Sequence, residues 1–245
     1  MKNQYNLGNT LNPSFFLKKS QNFFPYMAIS SLAFLFAGAY LALFVAPVDY
    51  VQGEEYRILY VHVPAAWFSS NCYYLLAISS AAYLVAKNPF YRIFSKVSAQ
   101  IGCFFTLLTL FTGCLWGKPM WGTYWVWDAR LTSVLFLLFF YAAYLLLIQF
   151  REKNFNTIAS MFSVFGLINI PIIKFSVKWW STLHQPASIT RLESSMHLSM
   201  LYPLLVMIIA FSLITIIFYI LLVRSELLYQ KIHTYEKNIG LPHIK

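Results

Sequence analysis

Met200–Val223 reads MLYPLLVMIIAFSLITIIFYILLV, a run without a single Lys, Arg, His, Asp or Glu. An α-helix needs about 20 apolar residues to cross the ~30 Å hydrocarbon core of a bilayer, so this stretch is long enough to span one. Phe24–Ala46, FPYMAISSLAFLFAGAYLALFVA, is a second such block near the other end of the chain. Between them lie Val63–Ala86, Val97–Trp116, Leu131–Phe150 and Ile158–Ile173, the last extendable past Lys174 through Phe175, Ser176 and Val177. The pattern predicts an all-α integral membrane protein with six transmembrane helices. It divides the chain into an N-terminal segment (1–23), a six-span membrane domain (24–223) and a C-terminal tail (224–245). Composition agrees: 59% of the 245 residues are hydrophobic and 11% charged, where a soluble domain carries about a quarter charged.

The net charge of +10 would suit nucleic acid if it were spread over a soluble surface, but its placement argues for a lipid bilayer and no nucleic acid. Twelve basic residues fall before span one, in the even-numbered connections and after span six, among them Lys18, Lys19, Lys87, Arg92, Lys96 and Arg224. Six fall in the odd-numbered loops: Arg57, Lys118, Arg130, Lys174, Lys178 and Arg191. Of the acids, only Glu152, Glu226 and Glu236 share the basic side. By the positive-inside rule, both termini are inside and the three odd-numbered loops are external. The polar start of the chain and the length of the first apolar block do not fit a cleavable signal peptide. Cys72, Cys103 and Cys114 sit inside apolar runs without a CxxC or CxxCH, which predicts small buried hydrophobes and no disulfide, zinc cluster or covalent haem.

The external loops concentrate the unusual residues. The first ends in Tyr60-Val61-His62-Val63-Pro64-Ala65-Ala66-Trp67; Pro64 reads as the first turn of span two, with His62 at its external lip. From this segment alone, the plainer reading of His62 is a structural histidine bonded to a loop carbonyl. The second loop, between helices 3 and 4, runs Trp116-Gly117-Lys118-Pro119-Met120-Trp121-Gly122-Thr123-Tyr124-Trp125-Val126-Trp127-Asp128-Ala129-Arg130-Leu131-Thr132. Gly117, Pro119 and Gly122 read as breaks in span three, and Asp128 as the cap of span four. An interfacial belt takes a few Trp and Tyr from several helices. Four indoles and three helix breakers in one loop favour a platform for a large, flat apolar ligand, with Lys118 and Arg130 available for its acidic groups. The third loop adds Trp179, Trp180 and His184, and Thr190–Glu193 fits a capping box before His197. His233 and His243 lie in the tail, and no histidine falls deep in a span, where a proton relay would place one. Flat aromatics, cations and histidines from different loops together match the needs of haem: π surface, propionate partners and imidazole for iron.

Trp116–Thr132 closely resembles the tryptophan-rich signature of haem-handling proteins in cytochrome c maturation, and specifically the CcmC family, haem exporter protein C. The likeness extends, in order and in register, through Ala46–Ala66, Asn169–Ile173 and Ser176–Gln185, so that it covers roughly residues 45–205. The resemblance implies six spans with the tryptophan-rich loop outside. It implies haem b bound non-covalently and transiently, with His62 and His184 as metal ligands, and Trp116, Trp121, Trp125, Trp127, Asp128 and Arg130 completing the cofactor-binding surface. It further implies delivery of haem to the haem chaperone of the system, beside ABC-type transporter subunits that supply any use of ATP. His197 is a third external histidine near the site; the resemblance, not the residue types, favours His184 over it. No nucleotide-binding or hydrolytic motif is present, so the implied chemistry is at most that of a scaffold promoting haem attachment to the chaperone. The competing classes are a haem or small-molecule permease subunit of an ABC-type complex, which needs polar groups at mid-membrane depth, and a purely structural subunit. The Lys, Asn, Ile, Phe and Tyr bias and the likeness to organelle-encoded relatives point to the mitochondrial inner membrane, with a bacterial inner membrane as the alternative.

Overall fold

The computed structural model describes residues 13–150, 153–180, 182–184 and 196–239. It is all-helical, with one isolated bridge between Asp49 and Gly53. The helices are α1 (Pro13–Tyr40), α2 (Leu59–Ala86), α3 (Pro89–Trp121), α4 (Ala129–Leu147), α5 (Lys153–Phe165), α6 (Asn169–Trp179) and α7 (Leu198–Ile239). A π turn, Leu41–Val45, prolongs α1, a 3-10 turn, Glu54–Ile58, runs straight into α2, and another, Gly166–Ile168, joins α5 to α6. Five segments are both long and apolar enough to cross a membrane: Phe16–Val45, Pro89–Trp121, Ala129–Leu147, Asn154–Trp179 and Leu198–Glu236. This is a membrane protein with several apolar helices.

Helix α2 is the exception, and its position explains it. At 28 residues it is about 42 Å long, yet its middle carries Ser69, Ser70, Asn71, Tyr73 and Tyr74. It lies at the centre, packed on α3 and touched by α5 and α7, so much of its surface meets protein and need not match lipid. Two of its buried serines are satisfied within the helix: Ser69 Oγ donates to Ala66 O at 2.8 Å and Ser79 Oγ to Leu75 O at 2.6 Å. Ser80 Oγ donates across to Ser95 Oγ at 3.3 Å, whereas Tyr73 Oη is buried without a partner. Thr106, Thr109 and Thr112 on α3 each donate to the carbonyl four residues earlier at 2.7 Å, the usual way a hydroxyl is accommodated in a helix away from water.

Several boundaries differ from the sequence expectation, each for a packing reason. Pro64 lies inside α2 rather than at its start, because the preceding 3-10 turn feeds the helix at Leu59 and the proline forfeits only the bond to Tyr60 O. Gly117 and Pro119 do not break α3; only Gly122, at φ 75°, ends it. The fifth apolar run is two helices in line. Their 3-10 joint falls where Gly166 meets α2 so closely that a Cβ there would stand 2.0 Å from Tyr73 Oη. Helix α7 continues well past Val223, carried beyond the apolar run by polar contacts. Arg224 Nη1 donates to Leu17 O and Ser20 Oγ on α1, and Lys96 Nζ pairs with Glu226 at 2.6 Å. The capping box Thr190–Glu193 lies outside the described residues.

Tyr141 ties the centre together. It is fully buried on α4, its Oη donates to Ser69 O at 2.6 Å, and it lies over Gly102 of α3, where a Cβ would stand 2.1 Å from that oxygen. Gly102→Ala must therefore push the ring off its bond. We expect destabilisation by about 1–3 kcal/mol, read as a lower thermal midpoint of the detergent-purified protein; an unchanged midpoint would show the contact to be dispensable.

Candidate functional site

The C-terminal end of α3 organises one end of the bundle, where the α1–α2 and α3–α4 connections meet residues 182–184, after α6. The first connection is rigid. Asp49 Oδ1 accepts from Val51 N at 2.9 Å and Gln52 N at 2.7 Å, Gly53 takes φ 64°, and Tyr56 Oη donates to Pro47 O at 2.6 Å. Arg57 pairs with Glu54 and reaches the Ala42 carbonyl. Gln52 Oε1 accepts from Trp116 Nε1 at 3.0 Å, which fastens this connection to α3.

His62, the fourth residue of α2, lies against α3. Its Nδ1 is 3.0 Å from Thr112 Oγ1, its ring meets Trp116 edge-on with centroids 5.7 Å apart, and a Cβ on Gly113 would stand 3.1 Å from its Cε1. A hydroxyl has one proton, and that of Thr112 goes to Leu108 O at 2.7 Å. Toward His62 it can only accept. The imidazole proton is therefore on Nδ1, and Nε2 carries a lone pair.

His184 reaches the same end from the connection after α6. Its Nδ1 is 3.2 Å from Asp128 Oδ2, and its ring meets Trp121 with centroids 4.9 Å apart. A carboxylate only accepts, so here too the proton is on Nδ1 and Nε2 is free. Burial pushes this imidazole below its ordinary value, with Asp128 offsetting the shift only in part, so it is neutral at physiological pH. Asp128 does double duty, because Oδ1 caps α4 by accepting from Leu131 N at 2.7 Å. The indoles that touch the two histidines, Trp116 and Trp121, are both on α3 and about 7.5 Å of helix rise apart. The imidazoles are close enough for a charge on one to act on the other.

The remaining site residues divide by exposure. Trp121 folds back over Gly117, where a Cβ would stand 3.0 Å from its Cε3. Trp125 and Trp127 meet edge to face at 5.4 Å; Trp127 is 78% exposed, whereas Trp125 Nε1 is buried without a hydrogen-bond partner. Thr182 Oγ1, two residues from His184, is likewise buried and unpartnered. Arg130 Nε donates to Ser176 Oγ at 3.3 Å, and Lys118 Nζ, over the Tyr124 ring, donates to Gly122 O at 2.9 Å. His197 stands apart: its Nδ1 is 2.8 Å from Ser199 Oγ and 3.3 Å from Ser199 N, and its carbonyl receives Met200 N and Leu201 N at the start of α7.

Among the described residues, no group of three or more His, Cys, Asp or Glu gathers as for a bare metal ion. Two imidazoles with free Nε2 atoms instead suit an iron that brings its own equatorial nitrogens, and the unpartnered Trp125 and Thr182 atoms suit a large ligand beside them. The residues present therefore fit haem. Sequence reading missed Thr112, Gln52 and Ser176. The signal for the first was there: Thr106, Thr109 and Thr112 recur every third residue in an otherwise apolar helix.

The profile of a family described as heme exporter protein C, CcmC, matches residues 6–238. A putative cytochrome c biosynthesis ccmC-like mitochondrial protein of Marchantia polymorpha is 56% identical over 77% of this chain and 81% of its own length. The Arabidopsis thaliana protein of the same description is 48% identical over 89% and 84%. The heme exporter protein C of Escherichia coli (strain K12) is 40% identical over 84% of each chain.

The two bonds of Asp128 are separable. Asp128→Asn keeps a cap oxygen and should melt within a few tenths of a kcal/mol of the native protein, whereas Asp128→Ala should lose about 1 kcal/mol. Thermal unfolding in detergent reads the difference, and equal losses would show that the cap is not what Asp128 contributes to stability.

Proposed function

The chain belongs to the CcmC family, heme exporter protein C, a membrane-protein family of cytochrome c biosynthesis, and we propose that it holds haem b at the outer membrane surface for delivery to a haem chaperone. The observation that carries this reading is the pair of imidazoles from separate elements, each with Nδ1 engaged by a fixed acceptor and Nε2 free. His62 and His184 would hold the iron, and His197, engaged by Ser199 at the start of α7, would not. Trp121 and Trp125 line the ligand, and the exposed Trp127 extends the aromatic surface toward the partner. Arg130 and Lys118 are the cations nearest to serve the propionates.

Bound haem supplies the iron that the imidazoles hold and a reactive edge for the chaperone. This chain's residues do the positioning. Thr112 and Asp128 set the tautomers, the two histidines fix the plane, and the indoles exclude water from one part of it while leaving another accessible. Such templating turns a chance encounter into an oriented one. The attachment is non-covalent and transient on this chain, and ABC-type subunits of the maturation complex supply any ATP use. In the same reading α2 is the sixth span, both termini are inside, and the membrane is the mitochondrial inner membrane; the mitochondrial relatives of Marchantia and Arabidopsis support the organelle.

Oxidised and reduced absorption spectra of the detergent-purified, haem-bound protein test this. His62→Ala and His184→Ala should each replace the six-coordinate spectrum with a five-coordinate one, while His197→Ala should leave it unchanged. A spectrum indifferent to both of the first two would overturn the ligand assignment. Trp125→Ala should insert normally and retain the spectrum but load the chaperone more slowly; unchanged loading at equal protein level would remove Trp125 from the platform.

A further inference from the structure

The two histidines are held in chemically different ways. Asp128 grips His184 with a carboxylate from the loop. His62 is gripped by a neutral hydroxyl inside a helix, on α3, and that hydroxyl is itself locked. Thr112 is buried, and its proton is committed to Leu108 O at 2.7 Å, with Thr109 O as a second acceptor at 3.3 Å. The lone pair left over faces His62 Nδ1 at 3.0 Å. Gly113 lets the ring lie flat on the helix, and Trp116 closes its edge. No rotation of the Thr112 hydroxyl lets it donate to His62 without abandoning the helix carbonyl.

We propose that Thr112 is the positioning residue that sets the tautomer and orientation of His62, so that Nε2 is the nitrogen offered to the iron. This rests on the reading of His62 as an iron ligand. Histidines bound to metals commonly donate their second nitrogen to a fixed acceptor, and loss of that acceptor weakens the site. Here the acceptor is uncharged. Thr112 therefore fixes the tautomer without adding negative charge to the imidazole, in contrast to Asp128 on His184.

Thr112→Val keeps the shape and removes the hydroxyl that accepts from Nδ1–H, a costly loss at a buried site. In the full-length, haem-bound protein in detergent we expect haem retention to weaken by about 10- to 100-fold. The spectrum should shift toward the five-coordinate form of His62→Ala, and added imidazole should restore six-coordination in both variants. Thr112→Ser, which retains the hydroxyl, should match the native spectrum. Thr112→Ala, a better helix former, repeats the test if the valine variant does not accumulate. Native haem retention and spectrum in Thr112→Val or Thr112→Ala, with His62→Ala altered, would overturn the role of Thr112. A native spectrum in His62→Ala would instead overturn the ligand assignment on which it depends.

Discussion

Hydrocarbon offers an amide or a hydroxyl no partner, so each polar group in the interior of this protein has to find one in the protein itself. Helices meet that demand for the backbone. For many side chains, the answer is local: Ser69 and Ser79 of α2 and the threonines of α3 turn their protons onto carbonyls of their own helix. A hydroxyl used in this way has no proton left and presents only a lone pair to its neighbours. Deep in the bundle that property is merely harmless. Near the C-terminal end of α3 it becomes useful, because the next group along is an imidazole that needs an acceptor.

Close approach is the second consequence. Glycines at 102, 113, 117 and 166 sit where a ring from elsewhere presses on the backbone: Tyr141, His62, Trp121 and Tyr73 respectively. Three of the four lie on α3, which is why that helix can be packed by α2 and α4 and still carry aromatic and imidazole rings on its outer turns. The glycines act here by having no Cβ, not by bending the chain.

The site inherits both features. His62 is set by a helix whose polar stripe is already satisfied, and His184 by a carboxylate whose other oxygen is committed to starting α4. Neither holder is free to drift, since each is tied to a helix by a second bond. Both imidazoles are thereby held in fixed positions with Nδ1 engaged. The indoles divide the labour: Trp116 anchors the first connection through Gln52, Trp121 backs His184, and Trp127 stays exposed.

By itself, the sequence determined what depends on neighbours along the chain. Long uncharged runs established a helical membrane protein, and Asp128 was recognisable as a cap. Those signals are local in origin: hydropathy sums over one helix, and a cap bonds three residues away. Boundaries were less legible, because whether Pro64 or Pro119 ends a helix depends on what else supports the turn. Only the tertiary structure decided which histidine nitrogens are free, since that turns on Thr112 and Asp128, 50 and 56 residues away from the imidazoles they hold. It also separated His184 from His197, two histidines alike in type, because one meets the carboxylate of Asp128 and the other only Ser199 at the start of α7.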